Sequence, residues 1–182
     1  MPDPLGLRAA TTGDAEAIAA IYAPMVEHSP VSFEETPPDA AEFERRMQAR
    51  PRLPWLVAQT SDRVVGYAYA VQHRERAAYR WCADSSVYVE AGLHGRGVGR
   101  MLYERLIEEM TALGYVSLFA GIALPNDASV GLHEAMGFKP VGVYRSVGFK
   151  RGQWRDVGWW QRMLVDPPSS PAEPRPWTPP RS

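Results

Sequence analysis

The stretch His94-Gly95-Arg96-Gly97-Val98-Gly99-Arg100 constrains this chain more than any other. It follows Val87-Tyr88-Val89 and precedes Met101-Leu102-Tyr103-Glu104-Arg105-Leu106, so a strand hands over to a helix through a glycine-rich turn. Gly95, Gly97 and Gly99 permit positive φ and close approach of the backbone. The amides of residues 95 to 100 can line up at the helix start, where N–H groups and the helix dipole hold anions. Arg96 and Arg100 add charge, and a pyrophosphate there gains several charge-assisted hydrogen bonds. Two familiar phosphate loops do not match. GxxxxGK[ST] is absent, and the dinucleotide fingerprint GxGxxG differs in glycine spacing and needs a parallel βαβ unit, which is not expected at this point. On the turn alone, a plain connection with solvent-facing arginines is the favoured reading.

Around that turn the chain reads as one α/β unit. Leu7 to Ala10 is a short strand, and Thr12 or Asp14 can cap a helix to about His28 with Ile18, Ile21, Tyr22 and Met25 on one face. Asp39 caps a second helix through Phe43 and Met47 that ends before Pro51. Strands follow at Trp55 to Ala58 and, after a turn at 61–63, at Val64 to His73, which alternates through Tyr67, Tyr69 and Val71. The polar connection RERAAYRW leads to a strand from Asp84 to Val89. The helix after the glycine turn runs from about Gly97 to Leu113, with Val98, Met101, Leu102, Leu106, Met110 and Leu113 as its apolar stripe, and Gly114 ends it. Ser117 to Ile122 is a strand, Asn126 to Met136 a helix closed by Gly137, and Val141 to Tyr144 and Val157 to Met163 the last strands. The order β-α-α-β-β-β-α-β-α-β-β fits a mixed sheet with helices on both faces.

Composition narrows the function. Among 182 residues, 20 are basic and 21 acidic, for a net charge of -1, which argues against broad binding to nucleic acid or membrane surface. No stretch approaches a membrane span, and the N-terminus lacks the pattern of a secretory signal. The single cysteine, Cys82, has no partner for a disulfide or a cysteine metal site, which fits a reducing cytoplasm; it is expected as a small buried hydrophobe. Residues 5–165 form the expected domain. Residues 166–182, dense in proline, read as a disordered tail, in which Trp177 could dock on the body.

The motifs resemble a known family. The strand, His94-Gly95-Arg96-Gly97-Val98-Gly99 and the long helix resemble the acetyl-CoA motif Q/R-x-x-G-x-G/A of the Gcn5-related N-acetyltransferases (GNAT), with histidine in place of Gln or Arg at the first position. ALPNDASVGLHEAMGF resembles that family's second cofactor motif, with Asn126 at the helix start. YRWCADSSVYV, LPNDASVGLHEAMGF and GFKRGQWRDVGWWQR are similar to the phosphinothricin N-acetyltransferase branch, which includes the methionine sulfoximine acetyltransferases. The resemblance covers roughly residues 5 to 165. It implies a GNAT-type, mostly antiparallel sheet with helices on both faces, and acetyl transfer from acetyl-CoA to the α-amine of a small amino acid with a tetrahedral polar side chain.

Such a reaction needs a base to free the amine and donors for the thioester oxygen, and it requires no metal. By the resemblance, Asp84 stands where the family has a Glu as general base; it is one methylene shorter, and a bridging water would make up the reach. The backbone of Val87, Tyr88 and Val89 meets the pantetheine arm. Residues Gly95, Arg96, Gly97, Val98, Gly99 and Arg100 hold the pyrophosphate, and Asn126 bonds the pantetheine or thioester region. His133 falls where many relatives place a tyrosine that reprotonates the thiolate and where this branch has histidine. Arg74, Arg76 and Tyr79 match acceptor-pocket positions, with two guanidinium forks suited to a carboxylate and a phosphinate-like group, and Phe33 matches an aromatic that closes the pocket. Trp154, Trp159 and Trp160 are expected in the core or at a subunit interface, since relatives are commonly homodimers through this region. The alternatives left open are another amine acceptor, such as a peptide N-terminus or polyamine, and a non-catalytic acyl-CoA-binding module; the arginines of RERAAYR argue against a polyamine.

Overall fold

The computed structural model describes residues 5–61 and 63–179. Asp62, inside the turn expected at 61–63, lies outside the described residues. The elements run β1 (Gly6–Ala9), α1 (Ala15–His28), α2 (Ala40–Met47), β2 (Trp55–Gln59), β3 (Val64–Gln72), β4 (Cys82–Val89), α3 (Val98–Ala112), β5 (Ser117–Leu124), α4 (Asp127–Ala135), β6 (Lys139–Lys150) and β7 (Gln153–Met163), with short 3₁₀ turns at Thr12–Asp14 and Ala77–Tyr79. The order is the expected one. Asp39 caps α2 by accepting the Glu42 amide at 2.9 Å. The start of α1 differs in detail: the Asp14 carboxylate reaches back to the Thr11 amide and hydroxyl and is clamped by Arg8.

The seven strands form one sheet in the order β1-β2-β3-β4-β5-β7-β6. Every pair is antiparallel except β4 with β5. The unit β4-α3-β5 is therefore a parallel crossover around the glycine turn, contrary to the sequence expectation. What separates it from a dinucleotide fold is the glycine spacing and the antiparallel strands on both sides.

Strand alternation sorts side chains into two cores. One face carries Leu56, Ala68, Ala83, Leu118 and Ile122 against Val98, Leu102, Leu106 and Met110 of α3. The other carries Trp55, Val57 and Tyr67 against Ile18, Tyr22 and Val26 of α1 and Phe43 of α2. Val26, rather than Met25, is the buried residue of the α1 face. Cys82 is half-buried and accepts a weak hydrogen bond from Ser117.

The C-terminal segment departs from the disordered tail expected of its composition. Residues 167–179 have no helix or strand, as their prolines dictate, yet they follow a fixed path. Trp177 is 4% exposed inside the α3-side core. Its amide donates to the Arg52 carbonyl at 3.1 Å and its indole N–H to Glu109 at 3.3 Å. Upstream, the Arg175 amide bonds the Leu113 carbonyl, and the Trp81 indole bonds the Ala172 carbonyl at 2.8 Å. The buried indole adds a large apolar anchor to these hydrogen bonds.

Candidate active site

The site begins where the one parallel ladder among the described residues stops. β4 and β5 pair at Cys82↔Ser117, Ala83↔Leu118 and Asp84↔Phe119, and no further. Both strands continue, β4 on β3 to Val89 and β5 on β7 to Leu124. The slot between them is lined by Ser85 to Tyr88 on one side and Ala120 to Ala123 on the other, with Asn126, Ser129 and His133 from the α4 region. Backbone groups facing the slot have no strand partner, and an extended arm can use them as one.

At its outer end the slot adjoins a cleft of about 490 Å³. Val87, Tyr88, Val89, Gly95, Gly97, Val98, Gly99, Arg100 and Asn126 all line it, together with Met25 and Leu132. Gly95 and Gly97 have φ of +74° and +84°, which a side chain would strain. Gly99 is helical, but a Cβ there would lie 3.3 Å from Leu132. The N-terminus of α3 therefore faces the cleft with its first amides free of intrahelical partners. Two charges sit differently from the sequence expectation. Arg100 pairs with Glu104 at 2.9 Å on the exposed helix face, and Arg96 is exposed and outside the cleft lining. His94, in the altered first motif position, donates from Nε2 to the Val89 carbonyl at 3.0 Å and closes the turn onto β4. Asn126 caps α4, accepting the Ser129 amide at 3.1 Å through Oδ1. That leaves its NH₂ donors for the cleft, so the capping and ligand roles are compatible.

The inner end carries the titratable groups. Asp84 lies within β4, not ahead of it. Burial pushes its carboxyl above the usual carboxylate range, while the hydrogen bond and charge of His73 and the charge of Arg74 pull it partly back. Its partner is His73, whose Nδ1–H donates to Asp84 Oδ1 at 2.5 Å. Around this pair stand Phe119, stacked on the imidazole at 4.4 Å, Tyr79 at 5.9 Å and Trp159 at 6.2 Å. Arg74 lies over the Trp159 ring at 5.8 Å and donates to the His73 carbonyl. Trp159 thus belongs to the site wall rather than to the core. It sits opposite Gly142 and opposite Gly121, and the absence of a side chain at Gly121 admits the indole. Trp160, on the other face, is buried as expected, and Trp154 is exposed.

Of the remaining acceptor candidates, Phe33 rides on a loop fixed by the Tyr22–Ser32 hydrogen bond at 2.7 Å and by Glu34, which pairs with Arg46. Its ring covers Gly148 so closely that a Cβ there would overlap it. Arg76 is exposed at the start of the 3₁₀ turn, and its guanidinium makes no hydrogen bond among the described residues. The structure therefore brings Arg74 and Tyr79 to Asp84 and leaves Arg76 on the rim.

His133 is 4% exposed on the opposite face of the sheet from Asp84. Its Nδ1–H donates to the Ser129 carbonyl at 2.7 Å, and Nε2 accepts from the Tyr103 hydroxyl at 2.7 Å. Burial lowers its pKa, only partly offset by the Ser129 carbonyl. A neutral ring with both nitrogens engaged fits this pattern. Among the described residues no cluster of three or more histidine, cysteine, aspartate or glutamate side chains could hold a metal.

Splayed parallel strands, a glycine turn at a helix start and a carboxylate at the apex define an acyl-CoA-dependent transferase. Residues 7–159 match the family model described as an acetyltransferase (GNAT) domain, and the chain belongs to that family. It is 41% identical to a phosphinothricin N-acetyltransferase of Streptomyces viridochromogenes over 97% of this chain and 94% of the relative. It is 34% identical to an L-methionine sulfoximine/L-methionine sulfone acetyltransferase of Pseudomonas paraeruginosa over 91% of this chain and 98% of the relative. Among solved structures, a phosphinothricin acetyltransferase of Sinorhizobium meliloti in complex with acetyl-CoA superposes with a TM-score of 0.85 at 34% identity, covering 92% of this chain and 95% of that one.

Proposed function

We propose that this protein transfers the acetyl group of acetyl-CoA to the α-amine of a small amino acid whose side chain ends in a tetrahedral polar group, of the phosphinothricin or methionine sulfoximine kind. The observation that carries this reading is the slot itself, with a cofactor-sized cleft at one end and Asp84, Arg74 and Tyr79 at the other. Acetyl-CoA supplies the activated acetyl thioester. The amides at the start of α3 hold its pyrophosphate, and the slot-facing edge of β4 over Val87, Tyr88 and Val89 aligns its pantetheine arm. An amide of that edge polarises the thioester oxygen.

An amino acid's α-amine is mostly protonated at neutral pH, and the proton leaves through Asp84. Arg74 pairs with an acidic group of the acceptor, Arg76 supplies charge at the rim, and Tyr79 and Phe33 bound its side chain. The cationic lining disfavours a polyamine. His133 keeps the wall of the slot in place through Ser129 and Tyr103; a thiol with an ordinary pKa of about 8.5 can leave as thiolate without a dedicated acid.

We further infer a cytoplasmic homodimer. The location follows from the need for acetyl-CoA and agrees with a lone unpaired cysteine. For the dimer, the sheet's β6 edge and the β6–β7 hairpin expose Val141, Val143, Tyr144, Val147, Phe149 and Trp154 together. An apolar edge of this kind calls for a partner.

The test is thiol release from acetyl-CoA with L-phosphinothricin, L-methionine sulfoximine, L-methionine sulfone, spermidine and a short peptide as acceptors. Turnover on the three tetrahedral amino acids is expected. Turnover confined to spermidine or the peptide would overturn the acceptor class.

A further inference from the structure

The hydrogen bond between His73 and Asp84 has a structural cause. In the β3–β4 ladder Val71 stands directly opposite Asp84. His73 comes two residues later, just past the end of β3 at Gln72, and from there its side chain reaches back to Asp84. Phe119, opposite Asp84 across the parallel ladder, supplies the surface on which the imidazole stacks. The ring is thus held from two sides, by a 2.5 Å hydrogen bond and by a parallel aromatic. The side chains of His73 and Asp84 are 11% and 25% exposed, so the pair is largely shielded but open to the site. Nδ1 faces Asp84, and Nε2 makes no hydrogen bond among the described residues. The other oxygen of Asp84 is likewise without one. A buried carboxylate with one oxygen fixed by an imidazole is a coupled unit: it takes up protons as a pair, and neither group titrates by itself.

Resting on the acetyl-transfer reading above, we propose that His73 and Asp84 form one composite base and that the proton taken from the acceptor's ammonium group is held on the His73 imidazole. One N–H bond of the ammonium breaks and one N–H bond of the imidazole forms. The pair passes from carboxylate–imidazole to carboxylate–imidazolium, and no other reactant is needed. The proton later returns to solvent. This arrangement addresses a mismatch that a lone aspartate would have. A base works best when its own pKa is near the operating pH. Free carboxylates titrate at about 4, imidazoles at about 6.5. The aspartate then orients the ring and balances its charge. The short reach of an aspartate is also accommodated, because the imidazole adds a second base next to Tyr79 and Trp159.

The other groups around the pair are few. Arg74 adds a positive charge next to it, and Tyr79 and Tyr69 present hydroxyls. Phe119 and Trp159 are uncharged. Arg74 opposes full protonation of the pair and so keeps it competent as a base near neutral pH.

Two measurements on the full-length protein test this. The first is the pH profile of kcat/KM for L-phosphinothricin at saturating acetyl-CoA, for wild type and His73→Asn. Asparagine can still donate to Asp84 but cannot hold the proton. Wild type is expected to lose activity on the acid side as the His73–Asp84 pair takes up a proton. His73→Asn is expected to lose about 10²-fold or more in kcat, the lower share of a positioned general base. Its acid limb should move down by about one pH unit or more, with the KM for acetyl-CoA unchanged. A His73→Asn profile that superposes on wild type would overturn the proposal and leave His73 a structural support.

The second measurement does not depend on turnover. The four imidazoles, His28, His73, His94 and His133, are followed by NMR from pH 5 to 9 in wild type and Asp84→Asn, without acetyl-CoA. The His73 titration is expected to shift in Asp84→Asn while those of His28 and His94 do not. An unchanged His73 titration would sink the pair whatever the kinetics show. If wild type fails to acetylate L-phosphinothricin but the His73 shift is seen, the acceptor assignment fails and the pair stands.

Discussion

At the outer end of the slot the molecule works with backbone. The glycine turn, the start of α3 and the unpaired edges of β4 and β5 offer amides and carbonyls, and the side chains there mostly point elsewhere: Arg100 to Glu104, His94 to the Val89 carbonyl. At the inner end it works with side chains, and they come from different places: Asp84 from β4, His73 and Arg74 from the end of β3, Tyr79 from a 3₁₀ turn, Phe119 from β5 and Trp159 from β7. A cofactor common to many enzymes can be held by features every chain possesses. An acceptor that must be told apart from other amines needs specific functional groups. The difference also predicts how each end fails. Backbone sites break through conformation, side-chain sites through chemistry.

Removing the inner carboxylate should have the largest effect. Asp84→Ala is expected to lower kcat by about 10² to 10⁴, the usual share of a positioned base. Next comes the strap that belongs to neither end. Trp177→Ala should cost about 3 kcal/mol, as for other large buried aromatics, and lower Tm by about 6 to 12 °C for a domain of this size. Both KM values should stay as they were in the folded fraction; a change in either would tie the tail to the site. Arg74→Ala should raise the acceptor KM by about tenfold or more, the value of a charge-assisted hydrogen bond, with the acetyl-CoA KM unaltered. Gly97→Val tests the outer end by conformation. Holding a side chain at φ +84° costs about 1 to 2 kcal/mol, so the acetyl-CoA KM should rise by about tenfold while kcat at saturation is kept.

The smallest expected effect concerns pH and stability. The His133 pKa is lowered in the folded state. The unfolded chain therefore binds the proton more readily, and stability present above the ordinary histidine pKa of about 6.5 is lost as pH falls from there toward the folded value. Wild type should lose Tm over that range by more than His133→Gln does, as followed by thermal melts between pH 7.5 and 5.5.

Much of the outer end was legible in the chain. Glycines at 95, 97 and 99 between a β-branched run and an amphipathic stripe specify a turn almost by themselves, and Asn126 before a short helix marks its cap. The inner end was only half legible. Asp84, Arg74 and Tyr79 stood in a recognisable order, but His73 and Trp159 did not. His73 follows the alternation Tyr67, Tyr69, Val71 in the sequence but lies just past the end of β3 at Gln72. Only the register Val71↔Asp84 brings it to the carboxylate, and register is a long-range property that no local pattern contains. Trp159 looks like any core aromatic until it is placed opposite Gly121 and Gly142. The tail shows the same limit from the other side. Its prolines forbid regular structure, as the composition implies, but whether one tryptophan finds a socket depends on Arg52 and Glu109, more than sixty residues away in the chain.

The most direct measurement is the dissociation constant of acetyl-CoA for Asp84→Ala, by titration calorimetry, beside the same variant's kcat. If the two ends are built separately, acetyl-CoA binds within about twofold of wild type while kcat falls by at least about 10². An affinity that weakens together with kcat, or a kcat that survives, would contradict the division of labour along the slot.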